Sequence, residues 1–188
     1  MTLADKIVAL HRALARRHIP HAFGGAIALA YATRDPRGTS DIDLNVFVPA
    51  TNPARGLAAL PDGIERPAGT AEAIARDGQV RVWWEGTPID LFFDYAPIHA
   101  AAARDRRTVP FAGAEIPIVG PIQLAVFKAM FDRTRDWADL EEMAAARALD
   151  LDAVRSALAE MVGPDDPRVS RVGDAARRGA LLAGEPDR

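Results

Sequence analysis

Gly24 and Gly25 open an apolar stretch, and Asp41-Ile42-Asp43-Leu44 enters a second one further on. Residues of these types in this order suit phosphate chemistry. Glycines let backbone N–H groups approach phosphate oxygens, and a helix that starts there adds partial positive charge at its N-terminus. Carboxylates at i and i+2 on a strand point to one face. Two hard oxygen ligands on one face suit Mg²⁺. The chain carries its own control for this pattern. Asp150-Leu151-Asp152 has the same spacing but opens a helical segment, where Asp is favoured as a cap, so that pair is read as structural.

The elements that must position these residues are legible from periodicity. Leu3, Ile7, Leu10 and Leu14 recur at helical spacing, with Asp5, Arg12, Arg16 and Arg17 between them. Pro20 ends that helix, and His21-Ala22-Phe23 is a short strand leading to the glycines. Residues 26–32 read as a helix, and 33–40, with Pro36 and Gly38, as a loop. In the strand 41–48, Ile42, Leu44, Val46 and Val48 can face a core while Asp41 and Asp43 face a cleft. Residues 71–76 read as a helix. Residues 79–84 and 88–95 read as a hairpin around Glu85-Gly86-Thr87, and 108–111 with 115–119 as a smaller one around Ala112-Gly113-Ala114. Asp90, Phe92 and Asp94 share one face of their strand. Helices are expected over 121–132, 136–147, 151–162 and about 168–182, the first opening on Pro121.

Composition narrows the function classes. Half of the 188 residues are hydrophobic, so a core is expected, and 26% charged residues is an ordinary share. The net charge of −3 speaks against a broad grip on duplex nucleic acid but leaves room for one RNA end. The absence of cysteine excludes disulfides, zinc–thiolate sites and cysteine nucleophiles. The N-terminal segment reads as a helix and not a signal peptide, and no apolar run has transmembrane length. Cytoplasmic residence with no membrane partner is the expectation.

The full constellation is Gly24-Gly25, a short helix, Arg37-x-Thr39-x-Asp41-Ile42-Asp43-Leu44, and a third aspartate on a later strand. It resembles the nucleotidyltransferase superfamily that includes DNA polymerase beta. Within that superfamily it is most similar to small bacterial members grouped with AbiEii/AbiGii-type abortive-infection toxins. The likeness reaches 128–133 and 136–140, so it covers roughly residues 20–140. It implies that Asp41, Asp43 and Asp90 are catalytic and hold two Mg²⁺ (or Mn²⁺) ions. One ion would lower the pKa of an acceptor hydroxyl, and the other would neutralise leaving pyrophosphate. It selects Asp90, in Pro88-Ile89-Asp90-Leu91-Phe92, over Asp94. It assigns Gly24, Gly25, Arg37, Thr39 and Lys128 to the nucleotide. Many members carry Gly-Ser where this chain has Gly24-Gly25, so backbone contacts alone must serve here. Arg37 pairs either with a phosphate or with the carboxylate cluster. Lys128, in an apolar helix, either snorkels to water or meets the triphosphate. Asp136 is either near the cleft or the N-cap of its helix, and Asp139 either near the cleft or paired with Arg133 or Arg135. Trp83 and Trp84 face opposite ways, and burial is expected for both.

The expected fold is therefore α/β (α+β): a mixed nucleotidyltransferase sheet flanked by helices over 1–118, and a helical C-terminal lobe over 119–188 that would close the nucleotide cleft. The expected activity is transfer of a nucleoside monophosphate from an NTP, such as ATP, to a hydroxyl. The acceptor would be tRNA or another RNA end, a protein or a small molecule. A cognate toxin or antitoxin is an expected partner. The alternative is a non-catalytic, antitoxin-like binding module on the same fold.

Overall fold

The computed structural model describes residues 1–184. Helix α1 spans Leu3–Arg16 and is started by a capping box, in which Thr2 accepts from the Asp5 N–H and Asp5 accepts from the Thr2 N–H. Its buried stripe includes Ile7, Leu10 and Leu14. Strand β1 is His21–Phe23, α2 is Gly25–Thr33 and β2 is Ile42–Pro49. The Pro- and Gly-rich segment that follows holds a short helix α3 (Ala54–Leu57) and a short strand β3 (Ile64–Glu65). Next come α4 (Thr70–Asp77), β4 (Gln79–Trp84), β5 (Thr87–Asp94), α5 (Pro97–Asp105), β6 (Arg107–Phe111) and β7 (Ala114–Ile118). Four helices close the chain: α6 (Pro121–Phe131), α7 (Thr134–Ala145), α8 (Leu151–Val162) and α9 (Pro167–Gly184).

The chain divides into two compact units. The first comprises residues 1–26 and 38–119 and contains one seven-stranded mixed sheet in the order β3-β4-β5-β2-β1-β7-β6. β2 runs parallel to β5, β1 runs parallel to β7, and the other pairs are antiparallel. Ile42, Leu44, Ile89, Leu91 and Phe93 are fully buried, as their alternation with polar residues predicts. Helix α5 packs on β1, β2 and β5, α3 on β2 and α4 on β4.

Both hairpins are tighter than the sequence reading. Glu85 and Gly86 have φ of 46° and 74°, and Ala112 and Gly113 have 46° and 76°. Two central residues with positive φ match the strand twist in a two-residue turn. Thr87 and Ala114 therefore belong to strands. Lys6, buried on α1, fastens the end of the first hairpin. Its ammonium donates to the Trp84 carbonyl (2.7 Å), the Thr87 hydroxyl (3.0 Å) and the Glu85 carbonyl (3.3 Å). Trp84 is buried at 6% exposure, but Trp83 is 37% exposed, which corrects the expectation that both indoles are covered. The strand's period of two sends neighbouring side chains to opposite faces, and only one of those faces is filled here.

Among the described residues the second unit comprises 27–37 and 120–184, and its contents are most of α2 with α6, α7, α8 and α9. Its core includes Leu124, Val126, Trp137, Leu140, Met143, Val154, Leu158 and Val172. Helices α7 and α9 approach closely at Gly179, where an added Cβ would stand 2.6 Å from Ala144 Cβ. No described helix is long and apolar enough to cross a membrane.

Candidate functional site

Three neighbouring strands of the first unit bring three charged residues into one row. Asp43 on β2 stands opposite Asp90 on β5 in the parallel ladder. Arg81 on β4 stands opposite Asp90 in the antiparallel one. Cross-strand partners share a face, and neighbouring strands lie about 4.8 Å apart, so these side chains are adjacent. Asp41 lies in the bend two residues before Asp43, because β2 begins at Ile42 and not at 41 as the sequence pattern suggests. Asp94 falls outside the row, opposite Pro49 beyond a register shift.

Each aspartate has a specific environment. Thr39 donates its hydroxyl to Asp41 Oδ1 at 2.6 Å, so this threonine, expected at the nucleotide, orients a carboxylate. Asp43 lies against the glycine pair. The Gly24 N–H donates to the Asp43 carbonyl at 2.9 Å. Gly25 has φ +51°, and a β-carbon there would stand 2.5 Å from Asp43 Cγ and 3.0 Å from its Cβ. The missing side chain at residue 25 is what gives the Asp43 carboxylate its room. Gly24 is likewise close to buried Asn45, whose Nδ2 would lie 3.1 Å from an added Cβ.

Asp90 is engaged by a residue that the sequence reading missed. Arg81 donates from Nε to Oδ1 at 2.7 Å and from Nη2 to Oδ2 at 2.6 Å, a two-point pair. The Arg81 guanidinium is held above its ordinary pKa by its hydrogen bonds to Asp90 and that residue's charge, with Asp41 and Asp43 adding attraction. Arg81 is thus paired with Asp90 directly and feels Asp41 and Asp43 only through space. The signal was available: with a two-residue turn at Glu85-Gly86, hairpin register sets position 81 opposite position 90.

Asp41, Asp43 and Asp90 form an all-oxygen donor set of the type that suits Mg²⁺ or Mn²⁺. Among the described residues, no three or more Asp, Glu, His or Cys side chains are gathered closely enough to hold a metal ion as they stand. The type and order of the donors fit such an ion. The third donor is turned to Arg81.

Arg37 and Lys128, the other two residues expected at the nucleotide, both meet Asp139 within the second unit. Asp139 is 1% exposed and accepts from Arg37 Nη1, from Arg37 Nη2 at 2.8 Å and from Lys128 Nζ. Lys128 is buried as well, and its ammonium lies 3.9 Å from Asp136. It therefore does not snorkel to water. Burial alone would push the Asp139 carboxyl up, but hydrogen bonds from Arg37 and Lys128 hold it below the ordinary carboxylate range. Three earlier expectations are corrected here. Arg37 pairs with Asp139 and not with the Asp41–Asp43 cluster. Asp139 pairs with Arg37 and Lys128 and not with Arg133 or Arg135. Asp136 is not the N-cap of α7 but its third residue, accepting from the Arg133 backbone and side chain at the cap position. One donor of this network, Arg37 Nε, is buried without a partner.

No family model matches the chain, and no curated protein matches it. Solved structures do. The antibiotic-resistance factor ANT(2'')-Ia aligns with 95% of this chain and 94% of its own, at 16% identity and a TM-score of 0.53. An antigenic nucleotidyltransferase-like protein from Paracoccidioides brasiliensis aligns over 91% of this chain and 92% of its own, at 17% identity and a TM-score of 0.48. JHP933 from Helicobacter pylori aligns over 95% and 89%, at 16% identity and 0.45. With the seven-stranded mixed sheet and its helices, the likeness to the first of these defines the fold class. This chain has a nucleotidyltransferase fold.

Proposed function

We propose that this chain is a divalent-metal-dependent nucleotidyltransferase, moving a nucleoside monophosphate from an NTP to a hydroxyl acceptor. The observation that carries the reading is the packing of the Gly24-Gly25 turn against Asp43 while Asp43 stands opposite Asp90. A glycine turn at a helix start beside carboxylates on neighbouring strands suits a phosphate and its metal ion.

Asp41, Asp43 and Asp90 would hold Mg²⁺ or Mn²⁺, which when bound supplies charge neutralisation for the phosphates. The other roles belong to the chain. Backbone N–H groups at the start of α2 receive phosphate oxygens. Thr39 fixes the Asp41 rotamer. A carboxylate of the row draws off the acceptor proton as the acceptor oxygen bonds to the α-phosphorus and the α–β phosphoanhydride bond breaks. Pyrophosphate leaves. Arg37 and Lys128 both spend their charge on Asp139 within the second unit, and neither is assigned a phosphate in this reading. The acceptor class we put forward is an RNA end, a protein hydroxyl or a small polyol, with a net charge of −3 that leaves room for one RNA end.

A second reading has one observation in its favour. Arg81 neutralises Asp90 as a structural ion pair would, which suits a non-catalytic binding module. One experiment separates the two. The protein is incubated with Mg²⁺ or Mn²⁺, each α-labelled NTP, and RNA, lysate protein or aminoglycoside. Label transferred by the parent and lost in Asp43→Asn supports the enzyme. No transfer with any NTP and acceptor favours the module.

A further inference from the structure

Arg81 is placed where a metal ion's charge would act, and it takes both oxygens of Asp90. It stands at the β4 end of the row, opposite Asp90, with Asp43 on Asp90's other side. Its side chain is 49% exposed, so the guanidinium can leave the pair without unpacking the sheet. The carboxylates need a cation whenever no metal is present, since three like charges on one face repel. An ion that ligates Asp90 must compete with two charge-assisted hydrogen bonds and with the positive charge itself. The guanidinium, in turn, needs another anion to move to. A planar fork of donors suits phosphate oxygens as well as carboxylate.

We infer that Arg81 is a gate on the third carboxylate: it closes Asp90 in the free protein and is drawn off by the polyphosphate of the incoming nucleotide, which opens the metal site. This rests on the reading of Asp41, Asp43 and Asp90 as metal ligands. The gate couples two ligands. Metal alone meets a closed site. Metal with nucleotide meets an open one, because the triphosphate offers Arg81 a replacement for Asp90. The protein would then not hold divalent ions in a hydrolytically competent arrangement when no nucleotide is bound.

The test is Mn²⁺ binding by the full chain, followed by calorimetry and paramagnetic relaxation with no turnover. The parent should bind Mn²⁺ alone weakly, and Arg81→Gln about fivefold more tightly, the range of one exposed ion pair. Arg81→Lys, which keeps the charge, should stay near the parent. A non-hydrolysable NTP analogue should tighten Mn²⁺ binding in the parent and much less in Arg81→Gln. In the unsubstituted protein, the Arg81 Nε–H resonance should shift when analogue and diamagnetic Mg²⁺ are added together, a reading that needs no variant to fold. Equal Mn²⁺ affinity of parent and Arg81→Gln, or an Arg81 resonance unmoved at saturation, overturns the gate. Asp43→Asn tells the two failures apart. If it abolishes Mn²⁺ binding while Arg81→Gln changes nothing, the metal site stands and the gate falls. If Asp43→Asn binds as the parent does, the metal site itself falls.

Discussion

The Asp43 carboxylate occupies the space into which a side chain on Gly25 would grow. The second glycine of the pair is thus tied to the second aspartate of the Asp-x-Asp by shape as well as by order in the chain. Gly25→Ser should pay twice, once for a positive φ on a residue with a β-carbon and once for the displaced carboxylate. A loss of about 1–3 kcal/mol of stability is expected. Chemical denaturation measures it. Divalent-ion binding should weaken with it, and a Gly25→Ser protein with parental stability and metal affinity would refute this coupling.

Thr39 and Asp41 give a second test. The hydroxyl of Thr39 holds Asp41 Oδ1 at 2.6 Å. Thr39→Val should lower kcat by about tenfold, the effect of losing an orienting partner behind a ligand. Thr39→Ser should restore most of it. Asp41→Asn should cost far more than Thr39→Val. A Thr39→Val enzyme that loses NTP affinity and keeps kcat would return Thr39 to the nucleotide.

Lys128 and Asp139 should prove structural. Removing one partner of a buried pair costs about 3–5 kcal/mol when the other is left uncompensated. Asp139→Asn takes the shared charged partner from both Lys128 and Arg37, leaving Lys128 only the more distant Asp136, whereas Lys128→Met leaves Asp139 with Arg37. Urea denaturation should therefore show the larger loss for Asp139→Asn. The folded fraction of Lys128→Met should bind NTP as the parent does. Parental stability with a selective loss of NTP over nucleoside would place Lys128 at the phosphates after all.

Acid should weaken the first unit through His21. This side chain is buried, shares a hydrogen bond of 3.0 Å with His11 and meets the Ile19 carbonyl at 2.8 Å. Burial lowers its pKa from 6.5 to about 4, and the charges of His11 and Arg106 oppose its protonation further. The unfolded chain therefore takes up a proton below about pH 6.5 that the folded chain refuses until about pH 4. Stability from this group is complete above that window and falls as pH drops through it, by up to about 1.4 kcal/mol per pH unit. His21→Gln should flatten the slope of unfolding free energy between pH 6.5 and 4. An unchanged slope would remove His21 as the cause.

The sheet was legible because its inner strands alternate. Ile42, Leu44, Ile89 and Leu91 are buried while Asp43 and Asp90 are half-exposed, as a period of two requires. The glycine turn and the aspartates could be picked out because their types stand in local order along the chain. What escaped was pairing. Arg81 gains its meaning only from the register of a hairpin whose turn is one residue shorter than it looks. Arg37 and Asp139 are 102 residues apart, and nothing in either neighbourhood names the other. Trp83 was misread because hydrophobic type does not say which face of an outer strand is covered.

The separation of Arg37 from Asp139 also bears on how the chain is born. The helical unit takes in residues 27–37 and then nothing until 120. On a ribosome making about 5–20 residues per second, Arg37 emerges several seconds before the carboxylate that will neutralise it. Over that interval the helices of its own unit that follow residue 120 are still missing, while strands β2 to β7 are being delivered. The sheet is thus the portion that can close during translation, and the helical unit is completed only as the last helices arrive. Synonymous slow codons between 120 and 139 would stretch that exposed interval, and a chaperone has its longest opportunity to act there.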